Sequence, residues 1–459
     1  MNTSHRPGTA ALVGGLALVL TLAGCSGSGD DGVSSDGTVT ITVGDRPGKD
    51  QAAARAVYDR RVEAFEKANP TIDLKPVEKV WDAQTFQANV AGGTLPDVLK
   101  VPFTEIQSLI GRRQVADITD QLEKSGLGGK LNPQTLKVAQ KSGRSYGVPV
   151  LPYAVGMLYN RELFTEAGLD PDRPPTTWDE VRTAAKAIAR KTGKAGYAQM
   201  TTENNGGWML TAQSYSRGGS IESADGSKAV FDDAAMRDTL TTLQRMRWQD
   251  RSMGSNFLYN MNDIAKDFAA GKIGMFLSVP SAAYQAAVIN YKYPAKSLGI
   301  AAVPQGPGHT NEVLSGGSVE IVSPRASDAQ KAAAVKWIQY SDLGRYTDKE
   351  TAVTDAAASA KDGAPVGIPR LSPIEPKAFK EYESWIADHV NVPVDNFAGY
   401  AASLDTVKLK TEPVNNAQEV YGVLDTVLQK VLTRRDTDVT DVLADAVATV
   451  DTKLARARR

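Results

Sequence analysis

The chain of 459 residues is 42% hydrophobic and 23% charged, enough for a large buried core and for more than one domain at ~100–200 residues each. A net charge of −1 argues against a nucleic-acid partner, which ordinarily requires a basic face, and the single cysteine, Cys25, excludes an intramolecular disulfide.

At the N-terminus, His5 and Arg6 precede an almost wholly apolar run over 10–22, interrupted by Gly14, Gly15 and Thr21. The run is shorter than the ~20 residues a membrane-spanning helix needs, and its layout predicts a cleavable export signal over 1–24. It ends in Leu22-Ala23-Gly24-Cys25, which resembles the lipobox of bacterial lipoproteins. That resemblance implies acylation of the Cys25 thiol and attachment to the outer face of the cell membrane. A lone thiol in an exported protein is otherwise open to oxidation or intermolecular pairing. After Cys25, residues 26–37 are nearly all Ser, Gly and Asp, so 25–37 reads as a lipidated, flexible tether. The folded body is expected from Thr38 onward, and no later segment approaches transmembrane length.

In the body, 39–43 alternates β-branched residues and stops at Gly44-Asp45, the pattern of a first strand. Ala53, Val57, Val62 and Phe65 recur near a period of 3.6 and predict a helix over 52–67. A strand over 72–77, a helix over 85–91, a strand over 96–101 and a helix over 104–110 follow. Further on, 158–160 reads as strand and 161–167 as helix; 177–191 is an amphipathic helix with Thr177 and Glu180 spaced for a capping box. Helices are also predicted over 232–247, 262–270, 328–340 and 376–387, with two more between 415 and the C-terminus. Strands alternating with helices of this length predict an α/β fold with mostly parallel sheets flanked by helices.

Several segments together resemble the extracellular solute-binding proteins of the maltose-binding type. Glu63 to Pro70 (Glu-Ala-Phe-Glu-Lys-Ala-Asn-Pro) is similar to that family's first helix and its exit, and Gly92 to Val98 to its Gly-x-x-Pro-Asp-Val strand entry. Tyr146-Gly-Val-Pro through Leu158-Tyr-Asn-Arg-Glu-Leu-Phe164, then Thr176-Thr-Trp-Asp-Glu180, form the most specific block. Phe268 to Met275 and Gly316-Gly-Ser318 complete the series in the family's order. The resemblance implies two discontinuous α/β lobes with a hinged cleft, 38–150 plus 303–345 as lobe one and 151–302 plus 346–459 as lobe two. Crossings near 149–153 and 301–304 also suit the composition, because proline and β-branched residues make extended connections.

A sugar presents apolar ring faces and a rim of hydroxyls, so its cleft needs aromatic plates and planar polar groups. Trp208 stands in the glycine-rich loop 203–208, where the family places ligand contacts, with Glu203, Asn204 and Asn205 beside it as hydroxyl partners. Asp45 and Arg46 after the first strand, Phe103 and Thr104 after the third, Trp81, and Tyr153 in the crossing are the other candidates from the first half. Gly316, Gly317 and Ser318 offer backbone donors. Ser278 and Ser281 flank Val279-Pro280, where many family members carry a tryptophan, a departure that puts long maltodextrin-like ligands in doubt. Asn415, Asn416 and Gln418 match a ligand-facing segment only loosely.

Enzyme chemistry finds no foothold. The sequence has no His-Glu-x-x-His, no Gly-x-Ser-x-Gly and no phosphate loop, and its three histidines, His5, His309 and His389, are far apart in the chain. No cofactor and no metal are expected. The expected partners are a carbohydrate ligand, the permease of an ABC importer and, through Cys25, the membrane, with the chain itself a monomer. A lipid-anchored receptor for a non-sugar solute, a glycan adhesin and a sensor input stand as alternatives.

Overall fold

The computed structural model describes residues 32–414 and 416–457. The export signal and Cys25 therefore lie outside the described residues. Helices and strands alternate through the first half, and the strands fall into three principal sheets.

The first sheet contains β1 (Val39–Val43), β2 (Ile72–Pro76), β3 (Val98–Pro102), β4 (Val148–Pro149) and, from much later in the chain, β11 (Ser318–Val322). Its order is β2-β1-β3-β11-β4. β1 runs parallel to β2 and β3, with Val39 opposite Ile72, whereas β11 runs antiparallel to β3 and β4. The second sheet, β9-β6-β8-β7, is built from β6 (Gly156–Asn160), β7 (Ala195–Tyr197), β8 (Ile273–Ser278) and β9 (Leu298–Ala301). Here β7 and β8 are parallel, while β6 is antiparallel to both of its neighbours. Each sheet is thus mixed rather than mostly parallel, because the strands arriving from the other lobe, β6 and β11, enter against the local direction.

A small third sheet joins the two lobes. β10 (Glu312–Gly316) lies between β5 (Tyr153–Ala154), antiparallel to it, and β12 (Lys408–Thr411), parallel to it. β5 follows β4 of the first sheet closely, and β10 runs through Gly317 into β11, so two chain crossings lie side by side. Gly317 has φ 149°, and a side chain there would come within 2.6 Å of the Leu151 carbonyl oxygen. Only glycine permits that approach.

Each lobe has its own apolar core. One contains Ile41, Phe65, Val98, Val148, Val322, Trp337 and Ile338; the other contains Leu158, Phe164, Ile188, Leu240, Phe276, Ile300 and Leu428. Each fully enclosed side chain of this size contributes ~1.5–3 kcal/mol. The boundaries drawn from the sequence need revision. Val303, Val313 and Leu314 belong to the second core, because β10 is held by β12 and β5 away from the first sheet. Tyr346 and Ile374 belong to the first core, with Phe379 and Tyr382 packed against it. The chain re-enters the first lobe at Gly317, not near 303, where proline and β-branched residues merely mark the exit of β9.

Local signals are realised where they were strong. In the helix Trp178–Thr192 the Thr177 hydroxyl accepts from the Glu180 N–H at 3.3 Å, and the Glu180 carboxylate accepts from the Thr177 N–H at 3.1 Å. Trp178, Val181, Ala185 and Ile188 form its buried stripe.

Candidate functional site

A cleft of about 500 Å3 opens where both lobes meet the third sheet. Lobe one supplies Trp81, Pro102, Thr104 and Glu105. Thr104 and Glu105 lie in the first turn of the helix α1 (Phe103–Gly111), which starts directly at the carboxyl end of β3. Trp81 stands on the loop after β2, its ring 4.8 Å from that of Phe86.

Lobe two contributes the segment 203–208 and two residues of a C-terminal helix. Glu203 and Asn204 have φ of 57° and 65°, a left-handed turn that starts the helix α2 (Asn205–Tyr215). That turn is held from below: the buried Asp425 carboxylate, on α3 (Ala417–Thr433), accepts from the N–H of Asn204 at 2.8 Å and of Gly207 at 2.7 Å. A carboxylate at a helix N-terminus satisfies donors that otherwise have no partner. Gly207 packs on the α3 backbone at Tyr421, where a side chain would collide. The polar rim is partly pre-ordered, with Asn204 Nδ2 donating to Gln418 Oε1 at 3.1 Å and Asn260 Nδ2 to Glu203 Oε1 at 3.0 Å.

The third sheet forms the floor. The Tyr153 ring meets the Trp208 ring edge-on, centroids 6.0 Å apart, and its hydroxyl donates to Glu412 Oε1 at 3.2 Å. Glu412, just beyond β12, and Tyr421 complete the lining. Burial pushes the Glu412 carboxyl up to about 7, against the pull of the Tyr153, Tyr421 and Trp208 donors beside it. Burial also raises Glu105. Among the described residues, the lining holds carboxyls, amides and four large aromatic rings, and no Lys, Arg or His.

Of the residues expected from sequence, Trp81, Thr104, Tyr153, Glu203, Asn204, Asn205, Trp208 and Gly317 line this cleft. The others sit elsewhere, each for a physical reason. Asp45 has φ 60° and turns its carboxylate inward to accept the Lys100 N–H at 2.9 Å. Arg46 is held by Asp59 in a fork of two 2.8 Å hydrogen bonds. Phe103 is a core residue of lobe one, packed with Ile106 and Leu109. Ser278 is fully buried at the end of β8, and Ser281 lines a separate cavity of about 160 Å3 that shares only Tyr153 with the cleft. Gly316 packs against the Tyr153 ring, and Ser318 pairs with Pro102 in the first sheet. Asn415 lies outside the described residues, while Gln418 reaches the cleft.

Glu105, Glu412 and Tyr421 escaped the sequence reading. Glu105 was within reach, one residue beyond Thr104 at the same strand end. Glu412 follows a four-residue strand with no motif around it, and Tyr421 hides in the apolar periodicity of Val420 and Leu424. Among the described residues no cluster of His, Cys, Asp and Glu is placed to hold a metal, and no helix is long and apolar enough to cross a membrane.

Two α/β lobes around a ring-and-amide cleft floored by the connecting strands define a hinged solute-binding protein. The chain belongs to the bacterial extracellular solute-binding proteins, whose family model matches residues 48–341. Such proteins are the substrate-binding components of ABC transporters and are not enzymes. A protein of Brucella abortus named for binding alone is 26% identical over 324 residues, 65% of this chain and 68% of that one. In fold, the chain is similar to the cyclic α-maltosyl-1,6-maltose-binding protein of Arthrobacter globiformis, with TM-score 0.70 and 21% identity over 91% of this chain and 99% of that one. It is also similar to UgpB of Mycobacterium tuberculosis, solved with glycerophosphocholine, with TM-score 0.65 and 18% identity over 92% of this chain and all of that one (100%).

Proposed function

We propose that the protein captures a neutral carbohydrate, a mono- or oligosaccharide, between its lobes and delivers it by hinge closure to the permease of an ABC importer. It works as a monomer, anchored to the outer face of the cell membrane through acylated Cys25 after removal of 1–24. The observation that carries this reading is the cleft lining: Trp81, Tyr153, Trp208 and Tyr421 offer ring faces, and Asn204, Asn205, Gln418 and the carboxyls offer hydroxyl partners. A glycerophosphodiester, the ligand type of the Mycobacterium neighbour, would be brought against Glu105, Glu203 and Glu412 with no cation in the described lining. The missing partner for the phosphate favours the sugar, since rings and carboxyls alone would also suit a choline head.

A thermal-shift screen of the body from Thr38 against neutral sugars, with glycerophosphocholine alongside, tests the ligand class. A sugar at 100 times its dissociation constant stabilises by ~2.7 kcal/mol. Stabilisation by glycerophosphocholine alone contradicts the reading. Anchoring is tested separately: Cys25→Ser abolishes acyl labelling, and label persisting in that variant contradicts the lipobox assignment.

A further inference from the structure

The floor of the cleft is made of groups that do not satisfy one another. Four side chains converge there from four elements: Tyr153 on β5, Glu412 beyond β12, Trp208 on α2 and Tyr421 on α3. Tyr153 spends its hydroxyl hydrogen on Glu412. The Trp208 indole N–H and the Tyr421 hydroxyl are buried beside the same carboxyl, near enough to pull on its proton, yet neither reaches the distance and angle of a hydrogen bond to it or to any other group of the protein. A buried donor left unpaired costs ~1–3 kcal/mol, so two of them beside one acceptor call for a further group.

We propose that Trp208, Tyr421 and Glu412 read one hydroxyl of the ligand, whose oxygen accepts from the indole and phenol and whose hydrogen goes to a carboxyl oxygen of Glu412. This deepens the carbohydrate reading and rests on it. A hydroxyl brings one donor and two acceptor lone pairs, which matches two donors and one acceptor on a single atom. An ammonium only donates and leaves the indole N–H unpaired. A phosphate or carboxylate only accepts, and it meets Glu412 with no cation in the described lining to offset the charge. The reader also sits where it can report occupancy, since Tyr153 belongs to the sheet that connects the lobes and Glu412 directly follows its strand β12. A hydroxyl docked there bridges that sheet to α2 and α3 of lobe two.

Isothermal titration of the full processed protein tests this with D-glucose, D-galactose, D-mannose, D-xylose, maltose and lactose, followed by the monodeoxy series of the tightest binder. Loss of one particular hydroxyl is expected to weaken binding about 10-fold or more, since the site's own donors are then stranded. Glu412→Gln/Tyr421→Phe is expected to bind that deoxy sugar nearly as well as it binds the parent sugar. Monodeoxy sugars that all bind within about twofold of the parent, or a penalty undiminished in the double variant, overturn the hydroxyl reader and leave the carbohydrate reading standing. If no panel member binds, the carbohydrate reading fails and the reader with it. A crystal structure of the ligand-free protein checks the same node without any variant. One ordered water bonded to Trp208 Nε1, Tyr421 Oη and Glu412 is expected, whereas both donors paired directly to Glu412 contradict the proposal.

Discussion

Glu320 and Glu412 are both enclosed carboxyls on or beside a strand, and the protein treats them differently. Glu320, on β11 in the interior of lobe one, lies 3.2 Å from the Lys100 ammonium, which also holds Asp342 at 3.1 Å. Asp45 adds a third carboxyl to this cluster, so burial and the neighbouring Asp342 push Glu320 upward while Lys100 stays firmly protonated. Glu412 has no cation, only two phenols and an indole. The difference separates a charge buried for the fold from a carboxyl kept for a ligand. In the first case the protein supplies a counter-ion; in the second it supplies only neutral donors, two of which, the Trp208 indole and the Tyr421 hydroxyl, stay unpaired.

The largest effect is expected on the fold side. Lys100→Met strands Glu320 and Asp342, and breaking a buried pair by removing one partner costs ~3–5 kcal/mol, with the lower end expected for a lysine that is 26% exposed. Urea denaturation reads this as a lower midpoint, while sugar affinity in the folded protein stays near wild type. A variant of full stability would erase the contrast between the two sites. Trp208→Ala should do the reverse, weakening sugar binding by ~1–3 kcal/mol with the fold intact. If it unfolds instead, the indole belongs to the core, against which Trp208 does pack in part.

How much of this was legible in the sequence depends on how local the signal is. The capping box at Thr177 and Glu180 lies within one helical turn, and the strand over 39–43 is marked by its own alternation, so both were readable. The loop 203–208 was readable too, because asparagine, glycine and an aromatic together mark a turn that faces outward. Asp45 was misplaced because its left-handed backbone, which turns the carboxylate from the cleft to the Lys100 N–H, has no signature in an Asp-Arg pair. The membership of β10 depends on β12, almost a hundred residues later, and no local pattern records that partnership. Glu412 owes its role to Tyr153 and Trp208, hundreds of residues away, and a lone glutamate before a proline announces none of it.

A smaller, pH-dependent effect isolates the Glu412 carboxyl. Glu412 keeps its proton to about 7 in the folded chain, against an ordinary value of 4.5. Between those values the native state holds a proton that the unfolded state has released. The group's contribution to stability is therefore full below about 4.5 and lost as pH rises through about 7. Glu412→Gln removes that loss, so its Tm relative to wild type should be higher at pH 8 than at pH 5. Glu320 titrates in the same sense and is common to both proteins, so the difference isolates Glu412. An unchanged Tm difference between the two pH values would show that the Glu412 carboxyl is open to water.

In the proposed function, ligand occupies a cleft shared by two lobes and draws them together. Ligand can shift the open–closed equilibrium only by its differential affinity for the two forms. Small-angle scattering of the body from Thr38 onward, with and without saturating sugar, measures this most directly. A smaller radius of gyration is expected with sugar, and a blunted change when Trp81→Ala removes a lobe-one plate or Trp208→Ala a lobe-two plate. An unchanged radius at saturation, with binding indifferent to one of the two lobes, would contradict it and describe a rigid glycan adhesin.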